Sequence, residues 1–109
     1  MAAKEGKMDI DKRRNPRANI GITLFHDGGF SRTKDISIDG TFIKSSKQSQ
    51  LQPIGSYISL SFDFPSKTRL IKVKGVVVHH GNNDGLGIYF EEISKRSKRF
   101  IKQFLSNYL

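Results

Sequence analysis

Tyr57-Ile58-Ser59-Leu60-Ser61-Phe62-Asp63-Phe64 alternates without a fault. Ile58, Leu60, Phe62 and Phe64 fall on one face, and Tyr57, Ser59, Ser61 and Asp63 on the other. A period of two over eight residues marks a strand with one side in a core and the other in water. Pro53 and Gly55 punctuate the loop before it (residues 50–56), and Pro65-Ser66-Lys67 breaks it.

Reading outward, similar signals recur on both sides. Downstream, Leu70 to His80 is a long β-branched run with Lys72 and Lys74 outward and Gly75 at a bulge. The turn Asn82-Asn83-Asp84-Gly85 leads into Leu86 to Glu91, where Leu86, Ile88 and Phe90 share a face. Upstream, Ala18 to Phe25 places Ile20, Ile22 and Leu24 together, and His26-Asp27-Gly28-Gly29 is a hairpin turn signal. The return strand, Phe30 to Ile38, is polar and expected at a sheet edge or beside a ligand. Asp39-Gly40 turns the chain into Thr41-Phe42-Ile43.

The period changes in the tail. Ser94 is a candidate N-cap, and Phe100, Ile101, Phe104, Leu105 and Tyr108 recur at helical spacing, predicting an amphipathic helix over residues 94–108. The fold class is therefore mainly β: about six short antiparallel strands closing into a small barrel, which removes exposed edges, followed by a C-terminal amphipathic α-helix. That helix either covers an opening of the barrel or offers a partner surface.

The chain has 109 residues, enough for one domain with a modest core. Residues 1–11 are polar and aperiodic and read as a flexible N-terminal arm, with residues 12–109 as a single barrel domain. With no cysteine, disulfides, thiolate metal sites and a cysteine nucleophile are excluded. There is no apolar signal region and no membrane-span candidate, so a cytoplasmic protein is expected. Nineteen Lys and Arg against ten Asp and Glu give a net charge of +9, which calls for an anionic partner.

Two segments suit such a partner. Lys12-Arg13-Arg14-Asn15-Pro16-Arg17 precedes the first strand, and Pro16 keeps it from being helical. Arginine grips phosphate bidentately and reads guanine edges, whereas a solvated basic linker is the plain alternative. Asp35, Ser37 and Gly40 follow one hairpin later, with Asp35 and Ser37 on one strand face and Ile36 and Ile38 on the other. A carboxylate accepts from guanine N1 and N2, and a hydroxyl serves base or phosphate; turn chemistry alone also explains these residues. Together the segments suit a ligand carrying both phosphate and guanine.

Arg13-x-x-x-Arg17 followed by Asp35-x-Ser37-x-x-Gly40 resembles the paired signature of the PilZ domain, the bacterial receptor for cyclic di-GMP. Gly55, Lys74-Gly75-Val76-Val77 and Gly87-Ile88-Tyr89-Phe90 are similar to that family's later strands, so the likeness runs from about Asp11 to Leu109. It implies a six-stranded antiparallel β-barrel. Arg13 and Arg17 would hold phosphate and guanine, Asp35 and Ser37 would contact guanine, and Gly40 would permit close approach. Arg14 is a further basic candidate, and Lys12 an accessory one that would favour a stacked pair of ligands over a single copy. No signature position departs from the pattern. The implied function is a non-enzymatic receptor or adaptor whose arginine arm orders on the ligand and signals to an effector protein, as monomer or homodimer.

The remaining motifs are weaker. Lys95, Arg96, Lys98, Arg99 and Lys102 crowd the helix start, where cations oppose the helix dipole. They read as a solvated face or as a surface for an acidic partner or nucleic acid. No nucleic-acid-binding motif accompanies them, so a basic small-barrel nucleic-acid module stands as an alternative, beside a ligand-independent adaptor. His79 and His80 point to opposite faces of a strand, and neither a metal site nor catalytic residues are expected.

Overall fold

The computed structural model describes residues 16–26, 29–44, 52–65, 67–81 and 85–108. Six strands, β1 (Thr23–His26), β2 (Gly29–Ile36), β3 (Gly40–Lys44), β4 (Tyr57–Asp63), β5 (Ile71–Gly81) and β6 (Gly85–Glu92), precede one helix, α1 (Lys95–Leu105). All neighbouring strands pair antiparallel, and the order β1-β2-β3-β6-β5-β4 closes when β1 pairs with β4. The barrel is as expected. Of the two settings expected for β2, at an edge or beside a ligand, closure excludes the edge, because β1 and β3 flank it.

Alternation decides which side chains fill the barrel. Ile58, Leu60 and Phe62 of β4 pair with Gly75, Val73 and Ile71 of β5, all facing inward, and each of the three β4 side chains is almost fully buried. Leu24, Ile36, Ile43, Val77, Leu86, Ile88 and Phe90 complete this core. Gly75 sits at a register shift between β5 and β6, as its bulge signal suggested. A Cβ there would run into the Ile88 side chain, so the small residue also fits the packing.

Helix α1 starts where Ser94 was expected to cap it: the Ser94 hydroxyl accepts from the Ser97 N–H at 3.0 Å. The helix itself ends at Leu105, three residues short of the expected boundary, in a turn over Ser106–Tyr108. Ile101 and Leu105 are buried, and Phe64 meets Phe100 and Phe104 edge-on at 5.2 and 4.9 Å between centroids. Phe62 and Phe90 link this aromatic group to the barrel interior. Of the two places considered for the helix, its apolar face is used on the protein's own core.

The first predicted strand is shorter than its alternation implied. Only residues 23–26 form regular strand, and Ala18 makes a single bridge to Ile36. Between them the chain kinks, with Ile20 N–H donating to the Ala18 carbonyl. The buried Thr33 hydroxyl stands in for the missing sheet bonds, accepting from Ile22 N–H at 2.8 Å and donating to the Ile20 carbonyl at 2.6 Å. Arg32 adds bonds to the Gly21 carbonyl and the Thr23 hydroxyl. This kink determines where the preceding arginine lands.

Candidate ligand-binding site

Ala18 exchanges both backbone bonds with Ile36, at 2.9 and 3.0 Å. The bridge is antiparallel, so it sets residue 17 across from residue 37, with residue 35 as its diagonal neighbour. Arg17 Nη1 reaches across this diagonal and donates to Asp35 Oδ1 at 2.7 Å, across 18 residues of sequence. The two side chains are 50% and 24% exposed, so the pair is open to solvent and to a ligand. Lys12, Arg13 and Arg14, and the expected arm over residues 1–11, lie outside the described residues.

Ser37 and Gly40 follow in the turn after Asp35, and Ser37 departs from the expected strand alternation. The alternation stops at Ile36, because the chain turns there instead of continuing as a strand to Ile38. Ser37 is buried and its hydroxyl lies inside the turn, accepting from the N–H groups of Asp39 and Gly40 at 3.1 and 3.2 Å. The Ser37 N–H bonds the Gly40 carbonyl at 2.8 Å, closing the loop. Asp39 then offers its carbonyl to Phe90 N–H, which pins the turn to β6. Ser37 thus holds the shape of the site rather than projecting from the same face as Asp35.

Gly40 has a reason of its own to be glycine. A Cβ at this position would overlap the Ile88 carbonyl oxygen and press on the Tyr89 backbone. The residue lets β3 start hard against β6, where it is itself buried.

Outward-facing partners complete the surroundings. Asp35 lies opposite Phe42 on β3, after a register shift that leaves Lys34 as the extra residue. Lys34 Nζ sits 5.5 Å from the Phe42 ring centre. The ring lies where Cβ atoms on Gly81 and Gly85 would collide with it, so it covers the glycine-rich end of the β5–β6 pair. Sequence reasoning did not single out Lys34 or Phe42; Phe42 could have been found by continuing the outward period from Gly40. The arrangement offers cations, a carboxylate and ring faces on one outer wall, with no nucleophile–base pair. Among the described residues no group of three or more His, Asp or Glu could hold a metal. None of their helices is long and apolar enough to cross a membrane.

Comparison with known proteins agrees with this architecture. The family model for the PilZ domain matches residues 11–107. None of the curated proteins matches the sequence. Among solved structures, the chain is similar to the inhibitor of motility MotI of Bacillus subtilis, with TM-score 0.75 and 14% identity over 88% of this chain and 50% of that one. It is similar to the PilZ domain of YcgR from Escherichia coli, solved with c-di-GMP, with TM-score 0.65 and 12% identity over 89% and 91%. PlzA of Borreliella burgdorferi, in complex with c-di-GMP, gives TM-score 0.60 and 21% identity over 94% and 47%. The chain thus spans about half the length of MotI and PlzA.

Proposed function

The chain belongs to the PilZ domain family, and we propose that it is a non-enzymatic cytoplasmic receptor for cyclic di-GMP. The observation that carries the reading is the Arg17–Asp35 pair held beside the Ser37–Gly40 turn, with both of its side chains accessible. Two of the solved relatives, YcgR and PlzA, contain that ligand.

The chemistry is an exchange of partners. Arg17 and Asp35 satisfy each other in the free protein. Guanine presents N1–H and N2–H donors that suit the Asp35 carboxylate, and a phosphate presents oxygens that suit the Arg17 guanidinium. The ligand would therefore part the pair and satisfy both halves at once. Arg13 and Arg14, with Lys12 as accessory, would add phosphate and guanine contacts as their segment closes over the ligand. Ordering that segment costs conformational entropy, which the charge-assisted bonds must exceed. Gly40 would permit close approach of the ligand to the backbone at the turn, and the Ser37 hydroxyl holds the Gly40 N–H. The ligand would bind as one copy or a stacked pair, and the closed segment would present a changed surface to an effector protein, from a monomer or a homodimer.

Calorimetric titration of the purified protein with cyclic di-GMP, against GMP at matched salt, tests the reading directly. Saturable heat specific to the cyclic dinucleotide is expected; equal traces would overturn it.

A further inference from the structure

One aromatic side chain beside this turn has no part in the core. Tyr89 is the cross-strand partner of Gly40 and is 53% exposed on the outer wall of β6. The same register continues across the barrel to Val76 on β5 and Tyr57 on β4, the latter 58% exposed with Lys74 Nζ 4.5 Å from its ring centre. The next outward positions along the β4–β5 pair are Ser59 opposite Lys74 and Ser61 opposite Lys72, so the apolar run is local to this row.

We infer that Tyr89 supplies a ring face for a purine base, extending the site from the Ser37–Gly40 turn across β6. This rests on the cyclic di-GMP reading above. Gly40 carries no side chain, so at this row β3 sets only backbone opposite Tyr89. Asp35 lies in the row of Phe42 and Gly87, so two strand spacings and two residues along the strand separate it from Tyr89, on the order of 12 Å. A purine nucleotide covers such a distance, so one ligand can reach the carboxylate with a base edge or phosphate while a base lies on the tyrosine. Rings on an exposed sheet face are suited to this, because every base presents a π-face that stacks without hydrogen-bond readout.

The plain competitor is cross-strand packing of Tyr89 with Val76, which would stabilise the sheet and do nothing for a ligand. Tyr89→Leu separates them, since leucine keeps apolar contact with Val76 but offers no ring; Tyr89→Phe keeps the ring. Both variants, Tyr57→Leu, Asp35→Ala and the unaltered protein are titrated calorimetrically with cyclic di-GMP, and each is melted without ligand. Binding by Tyr89→Leu is expected to weaken roughly tenfold or more, with Tyr89→Phe close to the unaltered protein and both melting like it. Unchanged affinity of Tyr89→Leu, while Asp35→Ala is impaired, overturns the role of Tyr89 and leaves the receptor reading standing. Weakening by Tyr89→Leu that is matched by Tyr89→Phe or by a lowered melting temperature also overturns it, because the ring face is then not what matters. If the unaltered protein does not bind, both readings fall.

Discussion

Arg17 donates to Asp35 at 2.7 Å from a diagonal position, because the antiparallel Ala18–Ile36 bridge sets Arg17 opposite Ser37 rather than Asp35. The backbone bridge brings the two segments together, and the long arginine side chain makes the diagonal reach to the carboxylate. Its exposure limits its worth to folding: open pairs contribute about 0–1 kcal/mol. Arg17→Ala and Asp35→Ala are therefore expected to melt within a few degrees of the unaltered protein. The same substitutions should abolish or severely weaken cyclic di-GMP binding, and added salt should weaken binding by the unaltered protein. Calorimetry and thermal melts on the same samples check both halves; normal binding by the Arg17 variant would remove it from the site.

Gly40→Ala is expected to behave in the opposite way. Its Cβ would overlap the Ile88 carbonyl, a backbone atom that cannot rotate aside, so β3 and β6 must separate. Overpacking of this kind costs about 1–3 kcal/mol. Ser37→Ala should also destabilise, by about 1–3 kcal/mol, as the Asp39 and Gly40 N–H groups lose their common acceptor. Chemical denaturation should show both losses without any ligand present. An unchanged midpoint for Ser37→Ala would mean that its hydroxyl is dispensable to the turn.

These contrasts show what a linear reading can and cannot reach. Tyr57 to Asp63 was legible because period two is a local property, and the Ser94 cap because the N–H it accepts from lies three residues away. The kink over residues 18–22 was not, since it depends on the Thr33 hydroxyl, a residue whose burial only the closed barrel decides. For the same reason Ser37 reads in sequence as a group beside Asp35, whereas the structure turns it inward to its own loop. β2 reads as a strand at an edge or beside a ligand because it is polar, yet its inward polar residues have local partners: Thr33 supports the kink and Ser31 bonds His26 at 2.8 Å. The Tyr89–Val76–Tyr57 row is invisible until strand order and register are known.

The aromatic group under the helix supports a third prediction. Phe64 is fully buried and touches Phe62, Phe100 and Phe104, so it joins the barrel core to α1. Phe64→Ala should cost about 3–5 kcal/mol, a large share of a small domain's stability. Circular dichroism during urea titration should show helix and sheet signals lost together at a lower midpoint. Separate transitions would mean that the helix is not part of the same cooperative unit.

The start of α1 sets the solvated-face reading against a nucleic-acid surface. Its first turn contains no acid, and among the described residues Lys95, Arg96, Lys98 and Arg99 have no ion-pair partner. Cations there oppose the helix dipole, each at about 0.3–1 kcal/mol. Arg96→Glu with Ser97→Glu reverses one charge and places a glutamate where it can return a bond to the Ser94 backbone. The double variant should gain about 1 kcal/mol, raising the melting temperature by roughly 4–8 °C in a domain of about this size. Its affinity for cyclic di-GMP should be unchanged, because neither residue is among those placed at the site. At physiological salt neither protein is expected to shift single-stranded RNA in a gel, since the helix offers charge without an interleaved aromatic platform. A band given by the unaltered protein and lost in the variant would instead identify this face as a nucleic-acid surface. The misplaced charge would then be explained by binding, and the small basic barrel would have a second anionic partner.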